Sequence, residues 1–380
     1  MNTRPPSSTS TPPAWAAWLT ALREPEVVLR WSLGDWQRVV RLGRRLRLLA
    51  RLAARLQADG LLDQVPAPAQ RHLVSELRLS GWRTTVMVRA LERVAEQLQG
   101  ADHPLVLLKG GAYIGQGLPI AAGRLPSDID ILVPQAALAG ALSRLQAAGW
   151  VGAELDAHDQ HYYEAWSHEV PPMHHPVHAV ELDLHHNILP PVARTHVDAG
   201  LLLARLQPSS WPVWQVLHPV DQVLHSAAHL FLDSDLTDRV RDLVDLDGLM
   251  RHFGRPCADP AFWAELPRRA RELGLAEPLA LASHFTTRWL GTPIPLAVQA
   301  VIAMQGPSKA RRAWLLPLLA AALTPTEPDA MPSRRQDLAA LALLARYHRQ
   351  RLPLRWLVPH LWHKMQTRNR VTHHGRDDGR

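Results

Sequence analysis

The chain has 380 residues, 47% of them apolar, and carries 42 Lys and Arg residues against 35 Asp and Glu residues. This apolar content is enough to build a core, which excludes a chain that is disordered throughout. The longest apolar stretch, Trp314 to Leu323 with its proline counted in, is well short of the ~20 residues of a membrane-spanning helix, so no membrane span is expected.

The N-terminal residues and the cysteine content also indicate the cellular compartment. Residues 1–14 are rich in Ser, Thr and Pro and contain no apolar segment, which predicts a disordered leader rather than a signal peptide. Cys257 is the lone cysteine, so an intramolecular disulfide is impossible and a thiolate zinc site is not expected. These features together predict a cytoplasmic protein.

The net charge of +7 is unevenly distributed along the chain. Residues 1–95 hold 15 basic and 7 acidic residues, residues 331–380 hold 11 and 3, and the middle holds 16 and 25. A nucleic-acid reader would carry its positive charge on the binding module, so nucleic acid is not the expected partner. An acidic centre between basic flanks better suits a core that binds a cation, although the flanks are equally explained as solvated helix faces.

Helical periodicity dominates both ends of the chain. Apolar residues at three- and four-residue steps predict an N-terminal helical segment over 15–100, interrupted near Gly60 and at Pro66–Pro68. The same periodicity returns in a predicted C-terminal helical domain over 213–380. Between them, residues 101–212 have a different pattern and form the predicted core.

This core contains two short apolar runs, Leu105–Leu108 and Ile129–Val133, that predict buried strands. A further strand is predicted at Val180–His185. A helix is predicted at Ala136–Ala148, with Pro134 at its start, and the His- and Pro-rich stretch 165–178 is predicted to be a loop.

Acidic and apolar residues alternate on two of these predicted strands. Asp128 and Asp130 are two residues apart, so their carboxylates project from the same face of the strand. Two carboxylates on one face repel each other, and hard oxygen ligands of this kind suit Mg²⁺, which relieves the repulsion. Glu181 and Asp183 repeat the alternation, and either one could supply a third carboxylate.

Two glycines follow the first predicted strand. Gly110 and Gly111 allow the backbone to approach a phosphate closely and would present free N–H groups at the start of a helix. Lys109 directly precedes them and is one of only three lysines in a strongly Arg-biased chain.

A Gly-Gly pair followed by Asp-x-Asp on a strand resembles the signature of the DNA polymerase β-like nucleotidyltransferase superfamily. The stretches LLKGGAYIG, GRLPSDIDILV and VELDLHH, with the later HSAAHLFLD and VRDLVDLDGLM, are similar to a poorly characterised bacterial nucleotidyltransferase family. The resemblance covers about Leu105 to Met250. It implies an α+β fold with a small mixed β-sheet nucleotidyltransferase core, preceded by the helical segment and followed by the helical domain.

The resemblance also implies roles for individual residues. Asp128 and Asp130 would be Mg²⁺ ligands, and Asp183 would be the third carboxylate and help to activate an acceptor hydroxyl. Lys109 and Arg124 would lie near the polyphosphate, together with the Gly110–Gly111 backbone, and His185 would position a phosphate or the acceptor. Many superfamily members have Gly-Ser where this chain has Gly-Gly, so a phosphate contact from a serine hydroxyl is missing.

The implied reaction moves a nucleoside monophosphate from an NTP, with ATP as the expected donor, to a hydroxyl group. The hydroxyl attacks the α-phosphorus in line and pyrophosphate leaves, with Mg²⁺ or Mn²⁺ as the cofactor. The acceptor could be a small molecule, a peptide or a protein. Two alternatives remain open, namely an inactive nucleotide-binding regulator on the same fold and a helical interaction protein that docks an anionic partner.

Two side-chain assignments also remain open. Arg124 is equally explained by a structural ion pair with Asp128 or another acid as by a phosphate contact. Eight histidines crowd between residues 158 and 186, and His158-x-x-His161 and His175-x-x-His178 have the spacing of zinc ligands.

Overall fold

The structure, a computed structural model, describes residues 13–153, 167–255 and 261–351. It is a mixed α+β protein with one seven-stranded mixed sheet, preceded and followed by helices, which confirms the predicted fold class. Most of the predicted leader, Cys257, His158 and His161, and most of the basic C-terminal flank lie outside these residues. No helix within the described ranges combines the length and apolar character that a membrane span requires.

Four α-helices build the N-terminal segment, in agreement with its periodicity. They are α1 (Ala14–Arg23), α2 (Leu33–Arg45), α3 (Leu49–Ala58) and α4 (Ala67–Gln97). The start of α2 is a capping box, in which Ser32 and Asp35 satisfy each other's backbone N–H groups. Short 3₁₀ turns at Pro25–Arg30 and Leu62–Gln64 lie between the helices.

The sheet has the strand order β3-β4-β5-β2-β1-β7-β6. Its strands are β1 (Leu105–Leu107), β2 (Asp128–Leu132), β3 (Val151–Gly152), β4 (Met173–His174), β5 (Glu181–His185), β6 (Gln207–Pro208) and β7 (Trp214–Val216). The three predicted strands are confirmed as β1, β2 and β5, which are adjacent at the centre of the sheet. Strand β2 runs parallel to β5 and antiparallel to β1.

Two sequence expectations for this region need correction. The stretch 165–178 is not simply a loop, since β4 and a bridge between Glu169 and His185 pair its described part with β5. Pro134 is not the first residue of an α-helix, because it precedes a 3₁₀ turn (Gln135–Ala137) that leads into α6 (Leu138–Ala147).

Two short helices complete the sheet region. They are α5 (Lys109–Gly115), which directly follows β1, and α7 (Ala199–Leu203). A 3₁₀ turn at Pro119–Ala121 leads from α5 towards β2. Strand β7, beyond the predicted boundary at residue 212, pairs in parallel with β1, so the sheet continues into the predicted C-terminal domain.

Helices form the remainder of the described chain. They are α8 (Pro219–Phe231), α9 (Val240–Phe253), α10 (Phe262–Glu272), α11 (Ala276–Phe285), α12 (Leu296–Gln305), α13 (Lys309–Leu323) and α14 (Arg334–Arg351), with a π-helical turn at Thr286–Leu290. Helix α8 is buried around nearly its whole circumference and packs against α9, α10 and α11. Buried apolar side chains form one continuous cluster from Ala14 to Leu343, so helices and sheet share a core.

Candidate active site

The register between β2 and β5 brings acidic residues side by side. Asp130 lies opposite Asp183, and Asp128 lies opposite Glu181. Because paired residues of neighbouring parallel strands project from the same face, the four carboxylates share one face of the sheet. The apolar residues between them, such as Ile129 and Leu182, are fully buried on the other face.

Asp130 is the best-partnered acid of this group. Its side chain is only 3% exposed, and its Oδ1 accepts a hydrogen bond from Lys109 Nζ at 2.7 Å. His185 Nε2 lies 3.2 Å from the same oxygen. Burial by itself would raise the pKa of Asp130, but the Lys109 ammonium and the His185 ring outweigh it and hold that pKa well below its usual range. Asp130 is therefore a stable anion.

Asp183 has the opposite environment. Its Oδ1 is buried and has no hydrogen-bond partner. Burial, followed by the negative charge of Asp130, raises the pKa of Asp183 to about 7. Asp183 is thus an incompletely neutralised carboxyl group beside a permanent anion. Either a proton or a bound cation would relieve the repulsion between the two groups.

The other two acids lie towards the start of the strands. Asp128 is half-buried and accepts a hydrogen bond from Ser127 Oγ at 2.9 Å. The Glu181 side chain is 42% exposed, and its Oε1 lies 3.9 Å from His174 Nε2. Of the two residues considered for the third carboxylate, Asp183 is the one that lies beside Asp130.

Lys109 occupies the junction between β1 and α5 in an unusual backbone conformation. Its φ is +42°, a left-handed value that costs a non-glycine residue of order 1–3 kcal/mol. Its side chain forms the ion pair with Asp130, whose backbone carbonyl accepts a hydrogen bond from the Leu108 N–H at 3.0 Å. Burial lowers the pKa of Lys109, but Asp130 more than compensates and the pKa is raised overall.

The two glycines lie in the first turn of α5 and differ in their surroundings. A Cβ at Gly110 would lie 2.3 Å from a terminal nitrogen of Arg124, whereas a Cβ at Gly111 would meet Leu107 at an ordinary 3.5 Å. Gly110 therefore makes room for a guanidinium group, and Gly111 has no such steric requirement.

Arg124 is buried behind this turn. Its Nε donates to Asp245 Oδ2 at 3.0 Å, and its guanidinium lies 5.6 Å from the centre of the Tyr113 ring. Asp245 also accepts from Arg51 at 2.8 Å, so one carboxylate on α9 joins arginines from α3 and from the sheet region. Burial lowers the pKa of Arg124, but Asp245 outweighs it and the pKa is raised. The structure thus brings Arg124 to Gly110 while pairing it with Asp245.

Sequence reasoning missed Glu169. Its Oε2 lies 3.2 Å from His185 Nδ1 and 3.7 Å from His168 Nε2. The only local sequence signal is the adjacent His-Glu pair, which has no regular alternation and lies in a predicted loop. Because Glu169 bridges to His185 on β5, the fold rather than the sequence brings it to the acid cluster.

Two groups of ligand-type side chains have donor atoms within 4.8 Å of one another among the described residues. One is Asp130, Asp183 and His185, and the other is His168, Glu169 and His185. Asp128 belongs to neither group. His175 and His178 also belong to neither, since His175 contacts the backbone through both ring nitrogens and His178 stacks on Trp150.

A cavity of about 170 Å³ opens beside these side chains. Its polar wall includes Lys109, Glu169 and His185. Its apolar wall consists of side chains from the segment after β5 and from α8, namely Ile188, Leu189, Pro190, Ala193, Ala228 and Leu232. His225 of α8 also faces the cavity, and burial, followed by the Lys109 charge, lowers its pKa to about 3, so its imidazole is neutral.

Comparison with known proteins gives one match. The family model described as an uncharacterised nucleotidyltransferase matches residues 32–291, which include α2 to α11 and the entire sheet. No match was found among curated proteins, and none among solved structures.

Proposed function

Since the chain belongs to the uncharacterised nucleotidyltransferase family, we propose that it transfers a nucleoside monophosphate from an NTP, with ATP as the expected donor, to a hydroxyl-bearing acceptor. The reaction is an in-line attack of the hydroxyl oxygen on the α-phosphorus. The new bond joins that oxygen to the α-phosphorus, and the bond to the bridging oxygen breaks and releases pyrophosphate.

The observation that carries this proposal is the pairing of Asp130 with Asp183 on adjacent parallel strands, with one Asp183 oxygen unpartnered. The donor set of this face consists of carboxylate oxygens, which are the ligands that Mg²⁺ prefers. Asp130, Asp183 and, from the same face, Asp128 would hold the ion, and Mn²⁺ would fit the same oxygens. When bound, the ion supplies polarisation of the phosphoryl oxygens and a lower pKa of the acceptor hydroxyl.

The side chains of the protein have complementary tasks in this reaction. Asp183, whose Oδ1 has no hydrogen-bond partner in the protein, would accept the proton of the attacking hydroxyl. Lys109 offsets negative charge that develops on the leaving pyrophosphate. His185 orients Asp130 through its 3.2 Å contact. Arg124 supports the Gly110 backbone from behind, and the backbone N–H groups of Gly110 and Gly111 face the phosphate chain in this proposal.

The cavity beside the cluster would hold the acceptor. Its mixed wall suits a molecule with an apolar body and a hydroxyl group directed towards the His185 end of the cavity. Such a molecule could be free or could be a side chain of a peptide or protein.

One observation favours a second candidate, a nucleotide-binding regulator without transfer activity. The 2.7 Å ion pair of Lys109 neutralises Asp130 without any metal ion, and Gly111 offers no hydroxyl to a phosphate. In this case nucleotide would bind while the α-phosphate stays on the NTP.

A transfer assay separates the two candidates. The protein is incubated with α-³²P-labelled NTPs, Mg²⁺ or Mn²⁺ and a cell extract as the acceptor source, and label in products other than nucleotides is measured. Transfer by the native protein that disappears in Asp130→Asn and in Asp183→Asn, and persists in Glu181→Gln, supports the enzyme. Thermal stabilisation by NTP without any transfer supports the regulator, and the absence of both refutes nucleotide chemistry on this fold.

A further inference from the structure

A second cluster of metal-ligand side chains lies next to the carboxylate pair. His168 and Glu169 come from the segment that pairs with the edge of β5, and His185 comes from the end of β5 itself. Glu169 Oε2 lies 3.2 Å from His185 Nδ1 and 3.7 Å from His168 Nε2, and all three donor atoms lie within 4.8 Å of one another. Donor atoms that each bond to one tetrahedral zinc ion at about 2.0–2.2 Å are separated from one another by distances similar to these 3.2 and 3.7 Å contacts.

The chemistry of this donor set differs from that of the carboxylate face. Two imidazoles and one carboxylate are poor ligands for Mg²⁺, which prefers oxygen, but they suit a borderline transition-metal dication such as Zn²⁺. His185 belongs to both clusters through different nitrogens, with Nε2 facing Asp130 and Nδ1 facing Glu169.

The shared histidine has the support that a metal-binding imidazole requires. A proton on Nε2 that is donated to Asp130 leaves the lone pair of Nδ1 directed towards Glu169. Metal-binding histidines characteristically donate their second ring N–H to a carboxylate in this way, which fixes the tautomer and the ring orientation. The His185 side chain is 4% exposed, so its orientation is set by packing as well.

The cluster is also accessible. His168, Glu169 and His185 all line the 170 Å³ cavity, together with apolar side chains and with polar ones such as His229 and Asp233. Three protein ligands with a fourth position open to a cavity is the arrangement of a zinc site that accepts a water or substrate oxygen.

From these observations we infer that His168, Glu169 and His185 form a binding site for a zinc-like transition-metal dication, separate from the Mg²⁺ site of the proposed function. The open position of this ion faces the cavity and takes an oxygen ligand from the molecule bound there. The two sites share the His185 ring but bind different classes of metal.

The test uses the full chain and the metals themselves. Metal-free protein is titrated with Zn²⁺ by equilibrium dialysis in excess Mg²⁺, and with Co²⁺ while the visible absorption typical of tetrahedral cobalt is recorded. We expect one tightly bound Zn²⁺ per chain that excess Mg²⁺ does not displace. His168→Ala and the isosteric Glu169→Gln should each weaken binding at least about 10-fold, the lower end of what loss of even an outer-shell partner costs.

Two control variants identify the position of the ion. His174→Ala removes an exposed histidine from the neighbouring strand β4 and should leave the tight site intact, which matters in a chain with 21 histidines. Asp183→Asn should also keep it. The inference is overturned if no tight Zn²⁺ binds, or if His168→Ala and Glu169→Gln, both shown to be folded by circular dichroism, bind Zn²⁺ as the native protein does. It is also overturned if Asp183→Asn rather than His168→Ala abolishes the cobalt spectrum, because the ion then lies on the carboxylate face. None of these results depends on whether nucleotidyl transfer occurs.

Discussion

Replacing Asp183 by Asn should stabilise the protein in the absence of divalent cations. The pKa of Asp183 is about 7 in the folded protein against an ordinary value of 3.8. Below pH 3.8 the carboxyl group is protonated in both states and costs nothing. Between pH 3.8 and 7 the unfolded chain loses this proton while the folded chain keeps it, so stability falls as the pH rises. Above pH 7 both states are ionised and the loss is constant.

The size of the effect follows from the difference between the two pKa values. At 1.36 kcal/mol per pKa unit, a rise from 3.8 to about 7 corresponds to about 4 kcal/mol of lost stability at pH 8. Asn has nearly the same shape and no charge, and the unpartnered Oδ1 of Asp183 gives up no hydrogen bond in the exchange. The variant should therefore gain up to about 4 kcal/mol at pH 8 and almost nothing at pH 4.

Urea denaturation between pH 4 and pH 8, with EDTA present, measures this difference. The matched control is Glu181→Gln, on the same strand and face but with its side chain 42% exposed, and its stability should change by no more than about 0.5 kcal/mol. Added Mg²⁺ should stabilise the native protein at pH 8 and not Asp183→Asn. A variant that is less stable than the native protein at pH 8, or a gain that does not depend on pH, would refute the assignment of Asp183 as an uncompensated acid.

Four further substitutions test the surroundings of the acid pair. Lys109→Met leaves the buried Asp130 carboxylate without its ammonium partner and should cost about 3 kcal/mol in urea denaturation, less when Mg²⁺ is added; an unchanged midpoint would contradict the ion pair. Asp245→Asn removes the shared partner of Arg51 and Arg124 and should also cost about 3 kcal/mol by the same measurement; a loss below about 1 kcal/mol would contradict the importance of this pairing. Gly110→Ala should lower the melting temperature because its Cβ meets a guanidinium nitrogen, whereas Gly111→Ala should gain up to about 1 kcal/mol of helix propensity; equal effects would contradict this difference.

The centre of the sheet could be predicted because β1 is a short buried apolar run, and β2 and β5 alternate buried apolar residues with acids. The runs at β1, β2 and β5 have no competing helical periodicity, and Gly and Pro residues separate them from the helices. The outer strands β3, β4 and β6 span only two residues each and contain or directly follow Pro or Gly. Such strands form because the edge of a neighbouring strand offers hydrogen bonds. The two residues of the short strand themselves do not indicate this pairing.

The candidate site could likewise be predicted only in part. Alternation fixes the face from which Asp128, Asp130 and Asp183 project, but it does not fix the register of two strands. That Asp130 rather than Asp128 lies opposite Asp183 is therefore a result of the fold. The pairing of Arg124 with an acid 121 positions away has no local signal at all.

The charges of the site point to a requirement for a cation that folding alone does not explain. Lys109 and His185 both lie against Asp130, so the polar contacts of this face are directed to one member of the pair, and Oδ1 of the other remains unpartnered. A side chain selected for stability alone would not be an acid at position 183. Because the proton and Mg²⁺ compete for the same oxygens, the apparent affinity for Mg²⁺ should fall by up to about tenfold per pH unit below pH 7 and level off above it. Isothermal titration of Mg²⁺ across this range measures the slope, and a flat profile would mean that Asp183 takes no part in binding the ion.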